Sequence, residues 1–427
     1  MIDLTKYKKN IWRPFTQEAL ANEQIVITSA KNQYLYDNNN KQYIDFISSW
    51  WVNIHGHCNN NIVKAIKNQT KKLDHVIFSD FCSESSLELI HELQKFLDKS
   101  LSKFFFSDNG STSVEVALKI AYQYHINIGN KKKYFITFDG SYHGDTFGSM
   151  SIGASSNFFN HFKELFFTTL TIPYPDTWID DFQIEEKEKM ILIEFEKLLF
   201  KYKNDIAGFV IEPLIQGASG MRMCRKEFLN KICIIARNHN ILLIFDEVMT
   251  GFARTGKMFG YEHLNIIPDI ICLSKGITGG FLPLGMTIVT DKIYQSFCSQ
   301  EVSKTFLHGH SYTGNPISCA AAVASLKLFN NKTFQKIENL SKIYYKNINE
   351  LMITKKFEKF RILGSICAFD YINHNKEYNS NLSRNLKKLF LENGFILRPL
   401  GNTVYLLPPY CISNKDIEKI FDFLQTI

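Results

Sequence analysis

Two apolar runs in this chain end abruptly in ionisable residues. Ile270-Ile271-Cys272-Leu273 runs into Ser274-Lys275-Gly276, and Ile241-Leu242-Leu243-Ile244-Phe245 runs into Asp246-Glu247. Short continuous apolar runs of this kind read as buried strands. Each delivers its charged group to the strand's C-terminal end, the edge of an open α/β sheet where ligands bind. An amine that can lose its proton there can form a Schiff base with a carbonyl. A carboxylate beside it can keep a pyridine nitrogen protonated. Together they are the minimum equipment for pyridoxal phosphate chemistry. The bland alternatives are a solvated lysine and an ordinary Asp-Glu turn.

The elements that must position these groups follow from pattern. Strand-like runs at Phe104–Phe106, Tyr134–Phe138, Gly208–Ile211, Ile241–Phe245, Ile270–Leu273 and Met286–Val289 alternate with helical stretches. That alternation predicts an α/β fold, a mostly parallel sheet flanked by helices on both faces. Upstream, Gln33–Asp37 and Gln42–Phe46 alternate polar and apolar around Asn38-Asn39-Asn40, which predicts a hairpin. Residues 60–100 read as helical, and Ala320–Phe329 begins a long helix. The rest is a smaller α+β unit. The expected division is an arm and part of a small domain at 1–52, a large domain at 53–321 and a C-terminal small domain at 322–427.

Bulk properties narrow the class. A chain of 427 residues with 45% hydrophobic and 21% charged content is an ordinary globular protein with room for a large core. Its net charge of +7 is spread over scattered lysines, which argues against nucleic-acid binding and suits an anionic ligand. No apolar run approaches membrane-span length, and the first ten residues lack a signal-peptide core. Nine cysteines with no Cys-x-x-Cys pair indicate neither a disulfide framework nor a zinc site. A reducing cytoplasm is the expected compartment.

Three loops carry further candidates. Ser107-Asp108-Asn109-Gly110-Ser111-Thr112 precedes an amphipathic helix, so its amides and hydroxyls can bind a phosphate, or simply cap the helix. Gly140-Ser141-Tyr142-His143-Gly144 places an aromatic that can stack on a planar ring next to a histidine. His308-Gly309-His310-Ser311-Tyr312 is a polar loop leading into a helix. His55/His57 and His308/His310 are His-x-His pairs with no clustered carboxylate or thiol to complete a metal site. Gly251–Met258 nearly matches a P-loop. However, Met258 replaces the required hydroxyl, and the Asp246-Glu247 acid pair is almost contiguous with it.

Taken together, SDNGSTSVEVALK, SYHGDTFG, IEPLIQGASG, LLIFDEVMTGFARTG, LSKGITGG and HGHSYTGNPISCA resemble the class III aminotransferases, a fold-type I pyridoxal phosphate family, over nearly the whole chain. A finer likeness, to a branch acting on a long aliphatic keto acid, rests on four blocks: Trp12–Gln17, Ser48–Gly56, Met221–Met223, and Arg398-Pro399 with Tyr405–Tyr410. The resemblance implies roles residue by residue. Lys275 is similar to the Schiff-base lysine, Asp246 to the carboxylate facing the pyridine nitrogen, and Tyr142 to the ring-stacking aromatic beside His143. Gly110 and Ser111 match the phosphate turn. Ser311 matches a hydroxyl that reaches the neighbouring subunit's phosphate, which implies a homodimer with shared sites. Trp50, Tyr142, Gly309 and Arg398 match substrate-site residues, with Arg398 on the keto-acid carboxylate. Phe15 departs from the pattern, since relatives carry a tyrosine whose hydroxyl touches substrate. The implied donor is S-adenosylmethionine or, as in some relatives, lysine. The alternatives are an acylornithine, ornithine or 4-aminobutyrate transaminase, an aminomutase on the same core, and a catalytically dead scaffold. Retention of both Lys275 and Asp246 argues against the last.

Overall fold

The short continuous apolar runs set the architecture. In a computed structural model describing residues 4–202, 204–372 and 380–427, seven strands form one sheet. The first three residues of the stretch read above for targeting character lie outside the described residues. The strands are β1 (Leu101–Ser107), β2 (Tyr134–Phe138), β3 (Leu170–Ile172), β4 (Ile206–Ile211), β5 (Leu242–Asp246), β6 (Ile270–Leu273) and β7 (Gly285–Thr290). Their order is β1-β7-β6-β5-β4-β2-β3. Only β7 runs against the others, pairing antiparallel with β6 and β1.

Successive residues of a strand face opposite sides of the sheet. Leu243, Phe245, Ile271 and Leu273 pack into one core with Phe228 and Ile232 of helix α2 (Lys226–Asn238). Leu242, Ile244, Ile270 and Cys272 pack on the other face against Val114, Ala117 and Ala121 of helix α1 (Gly110–Asn127). Burial on both faces explains why these strands read as unbroken apolar runs. Each such side chain contributes about 1.5–3 kcal/mol by leaving water.

A second core draws on both chain ends. Ile44, Phe46 and Trp51 pack with Tyr344, Phe369, Tyr405 and Phe421. Strand Phe395–Ile396 pairs in parallel with Gln42–Asp45, which ties the carboxy-terminal third to the hairpin of Tyr34–Asp37 and Gln42–Asp45. The single long helix expected from residue 320 is instead two, α3 (Pro316–Leu326) and α4 (Asn331–Ile353). Asn330 makes the break, because its side chain accepts from the Lys332 amide and caps α4. The helical stretch expected at 60–100 likewise resolves into Asn60–Thr70 and Glu84–Gln94. Among the described residues no helix is long and apolar enough to cross a membrane.

Candidate active site

Five strands, β1, β2, β4, β5 and β6, end at the same sheet edge, and the loops after them enclose a cavity of about 760 Å³. Lys275, Asp246, Tyr142, His143, Gly110 and Ser111 all line it. The sequence had scattered these residues over more than 160 positions, and the parallel topology brings them together.

Lys275 follows β6 with φ of +47°, in the left-handed region that non-glycine residues avoid. Its Nζ lies 4.5 Å from the centre of the Trp51 ring. Burial lowers the amine's pKa to about 8, and the nearby Asp246 and Glu212 carboxylates only partly offset this. The group is therefore poised to lose its proton near neutrality.

Asp246 ends β5. Its Oδ2 lies 2.7 Å from His143 Nδ1, and its Oδ1 accepts from the Val248 amide at 3.0 Å. A carboxylate only accepts, so Nδ1 carries the proton. Burial alone would lower the His143 pKa, but the hydrogen bond and charge of Asp246, with Glu212, outweigh it and raise the value. His143 Nε2 is buried and has no hydrogen-bond partner. The Asp246 carboxylate is 5% exposed and stands at the cavity wall.

Glu212, immediately after β4, is a third ionisable group at a strand end, and sequence reasoning gave it no role. Its two oxygens accept from the amides of Tyr142 at 3.2 Å and Gly217 at 3.0 Å, and burial raises its pKa to about 7. It fixes the backbone that carries Tyr142. The Tyr142 ring stacks on Phe159 at 5.9 Å, and its hydroxyl donates to Asp145 Oδ1 at 2.9 Å. The signal was available, because Gly208–Ile211 ends in an acid just as β5 does.

The turn after β1 starts α1 through a capping box. The Asn109 side chain accepts from the Thr112 amide, and Thr112 Oγ1 accepts from the Asn109 amide. The Gly110 and Ser111 amides thus stand at the positive end of an 18-residue helix. A Cβ on Gly110 would come within 2.7 Å of Val248, so only glycine leaves this approach open.

Trp50, Phe15 and Arg398 form an adjoining wall. The Arg398 guanidinium sits 4.4 Å from the centre of the Trp50 ring, and its Nη2 donates to the Phe15 carbonyl at 3.3 Å. Phe15 meets Trp50 at 5.6 Å and Phe158 at 6.0 Å, and Phe158 meets Tyr142 at 6.1 Å. An aromatic chain therefore links the arm to the cavity. Trp50 and Trp51 lie in a turn, Ser48–Trp51, whose four residues all have φ between +46° and +75°. Each left-handed residue costs on the order of 1 kcal/mol. Asp45 holds the turn by accepting from the Ile47 amide, Ser49 Oγ and His57 Nε2. The fully buried Arg254, part of the near-P-loop, donates to the carbonyls of Trp51 at 3.2 Å and Pro408 at 3.0 Å. The paired histidines have other tasks. His55 bonds Ser325 at 3.1 Å, and burial pushes its pKa down to about 3.

Gly309 and Ser311 do not join the cavity of their own chain. Both are exposed, and His75 Nε2 holds the Ser311 carbonyl at 2.6 Å. Among the described residues no cluster of three or more His, Cys, Asp or Glu is placed to hold a metal.

The donor set fits a flat pyridine aldehyde bearing a phosphate. An amine of low pKa faces a buried carboxylate, an aromatic stands between two loops, and a helix N-terminus opens on the same space. In agreement, the model of the family described as aminotransferase class III matches residues 16–427. The chain is 44% identical to the adenosylmethionine-8-amino-7-oxononanoate aminotransferase of Synechococcus elongatus, covering 96% of each chain. It is 38% identical to the enzyme of that name from Staphylococcus aureus, covering 97% of this chain and 94% of that one. The crystal structure of the enzyme of that name from Methanocaldococcus jannaschii superimposes with a TM-score of 0.92 at 33% identity, covering 99% and 98%.

Proposed function

From the premise that this chain belongs to the class III aminotransferase family, whose cofactor is pyridoxal phosphate, we propose that it transfers an amino group to 8-amino-7-oxononanoate, giving 7,8-diaminononanoate for biotin synthesis. S-adenosylmethionine is the proposed amino donor, with lysine the alternative. The observation that carries the reading is Arg398 stacked on Trp50 beside the Lys275 cavity, a cation on an aromatic wall suited to the carboxylate of a long aliphatic acid.

Pyridoxal phosphate, when bound, supplies an aldehyde for amine attachment and a ring that withdraws electrons. The chain's own groups do the rest. Lys275 Nζ would anchor the group, take a proton from the nitrogen-bearing carbon of the donor and return one to the acceptor. Asp246 would keep a proton on the ring nitrogen, and His143 holds that carboxylate in place. Tyr142 would supply the aromatic face for the ring. Gly110 and Ser111 would receive the phosphate at the N-terminus of α1. Phe15, Trp50, Gly309 and Arg398 shape and orient the substrate.

Ser311 is proposed to complete the phosphate site of a second copy, in a homodimer of the cytoplasm. Its exposed position away from its own cavity supports this. The division into 1–52, 53–321 and 322–427 belongs to the same reading; a core that joins residues of both chain ends supports the small domain within it.

The test is a substrate panel. The loaded protein is given the keto acid with S-adenosylmethionine, lysine, ornithine or 4-aminobutyrate, and products are read by mass spectrometry. Diamine from one of the first two donors is expected. Turnover of ornithine or 4-aminobutyrate with 2-oxoglutarate, and no diamine, would assign the chain to another branch.

A further inference from the structure

Beyond Glu212, the motif at 211–220 has no task in the reaction. It enters a hairpin in which Ile215–Gln216 pairs antiparallel with Arg222–Met223. The hairpin grips the backbone that leads into Tyr142. Gln216 Nε2 donates to the Asp139 carbonyl at 3.1 Å, Arg222 Nη1 donates to the same carbonyl at 3.3 Å, and Ser219 Oγ donates to the Gly140 carbonyl. The Gly217 amide donates to Glu212, which also accepts from the Tyr142 amide. On its other side the tip stands against Trp51, since a Cβ on Gly217 would come within 3.2 Å of that ring. The tip is itself held from outside. Gly220 and Met221 have φ of +85° and +50°, and Met221 is in a conformation that non-glycine residues avoid. Arg361, 5% exposed on strand Phe357–Leu363, supplies the hold. Its Nη2 donates to the Gly220 carbonyl at 2.8 Å, and its Nε donates to the Met221 carbonyl at 3.1 Å. Nη2 also meets Asp370 Oδ1 at 2.7 Å, which accepts from Thr403 Oγ1 at 2.9 Å. Asp370 neutralises the buried guanidinium, and the planar fork leaves donors for both carbonyls of the tip.

We propose that Arg361 is a positioning residue for the reaction: it fixes the hairpin tip, and the tip, through Glu212 and Ser219, fixes the backbone that carries Tyr142. The inference rests on the cofactor-facing role given to Tyr142 above. It assigns a task to a buried ion pair that the chemistry does not use. Pairing with Asp370 alone asks only for a cation, which a lysine supplies. Reaching two consecutive carbonyls of a left-handed turn as well asks for the guanidinium.

Hydrogen exchange read by mass spectrometry tests this on the full chain, with and without pyridoxal phosphate, in the peptide spanning 139–145. Arg361→Lys keeps a charge for Asp370 but has a single ammonium that cannot also span both carbonyls. Exchange in this peptide should speed up about tenfold, and affinity for pyridoxal phosphate should fall about as much. Ser219→Ala cuts the tip from Gly140 and should act in the same direction. Ile420→Val, a truncation of the second core on helix Asn414–Thr426, should lower the Tm without speeding exchange in this peptide. Unaltered exchange at 139–145 in folded Arg361→Lys would overturn the proposal. So would equal acceleration in Ile420→Val, or faster exchange with an unchanged affinity for pyridoxal phosphate, since either makes the role of Arg361 structural only. Should Arg361→Lys not fold, Ser219→Ala carries the test, and unaltered exchange there overturns the proposal equally. None of these readouts involves the acceptor or the donor, and the enzyme assignment fails instead if the native protein makes no diamine.

Discussion

His143 and Asp246 form a buried pair, Nδ1 to Oδ2 at 2.7 Å, in which the histidine reaches the carboxylate from the loop after β2 and leaves its own Nε2 unpartnered. The pair spans two strand ends and, with the Val248 amide on Oδ1, fixes the carboxylate at the cavity wall. Asp246→Asn keeps the shape but removes the charge. Half-reactions in both directions should slow by roughly a hundredfold or more, while the cofactor remains bound. Stopped-flow absorbance measures this, and unchanged rates would show that another group protonates the ring.

The amine at Lys275 sets a pH dependence. Its pKa falls from the ordinary 10.5 to about 8 on folding. Between those values the unfolded chain holds a proton that the folded chain has released. This group therefore makes the cofactor-free protein more stable as pH rises through that window. The neutral amine is also the form that attacks an aldehyde. Cofactor uptake should accelerate up to about pH 8 and then level, as followed by the growth of visible absorbance. An uptake rate still climbing steeply towards pH 10.5 would mean that the amine is not depressed.

How much of this was legible in the sequence depended on whether a residue's task is local. Lys275 and Asp246 stood out because β6 and β5 are buried on both faces and stop abruptly at a charged group. The capping turn at Asn109–Thr112 was legible for a similar reason, since its hydrogen bonds lie within four residues. Glu212 obeyed the same strand-end pattern and went unassigned, because its bond to the Tyr142 amide joins two separate loops. The contact of Trp51 with Lys275 joins elements more than 200 positions apart, and no periodicity encodes it. Nor could Ser48–Trp51 be foreseen as left-handed. Serine and tryptophan have no preference for that conformation, and Asp45, His57 and Arg254 impose it from outside.

Arg398 should act on one half of the cycle. Arg398→Ala removes a cation that can grip a carboxylate. Affinity for the keto acid should fall by about 1.5–3 kcal/mol, roughly 10- to 150-fold. The donor half-reaction should suffer less. Equal losses in both halves would make Arg398 a support for Trp50 and the arm.

The proposed shared site predicts rescue between inactive chains. Lys275→Ala lacks the amine. A Ser311 variant with a bulky side chain should block the phosphate site of its partner. Co-expressed and purified as the mixed dimer, the pair should recover activity, because one of its two sites has an intact lysine and an intact hydroxyl. Verified mixed dimers that stay inactive would leave the transaminase assignment in place and remove Ser311 from the phosphate site.

The central claim is transfer of a donor's nitrogen to the keto acid through Lys275, and isotope labelling tests it most directly. Protein loaded with cofactor is given donor labelled with ¹⁵N at the transferred amine, together with unlabelled 8-amino-7-oxononanoate, and the diamine is analysed by mass spectrometry. The account predicts one ¹⁵N in each product molecule, with turnover reduced about 10²–10⁴-fold or more in Lys275→Ala. Unlabelled diamine, diamine formed without any donor, or near-normal labelling by Lys275→Ala would contradict it.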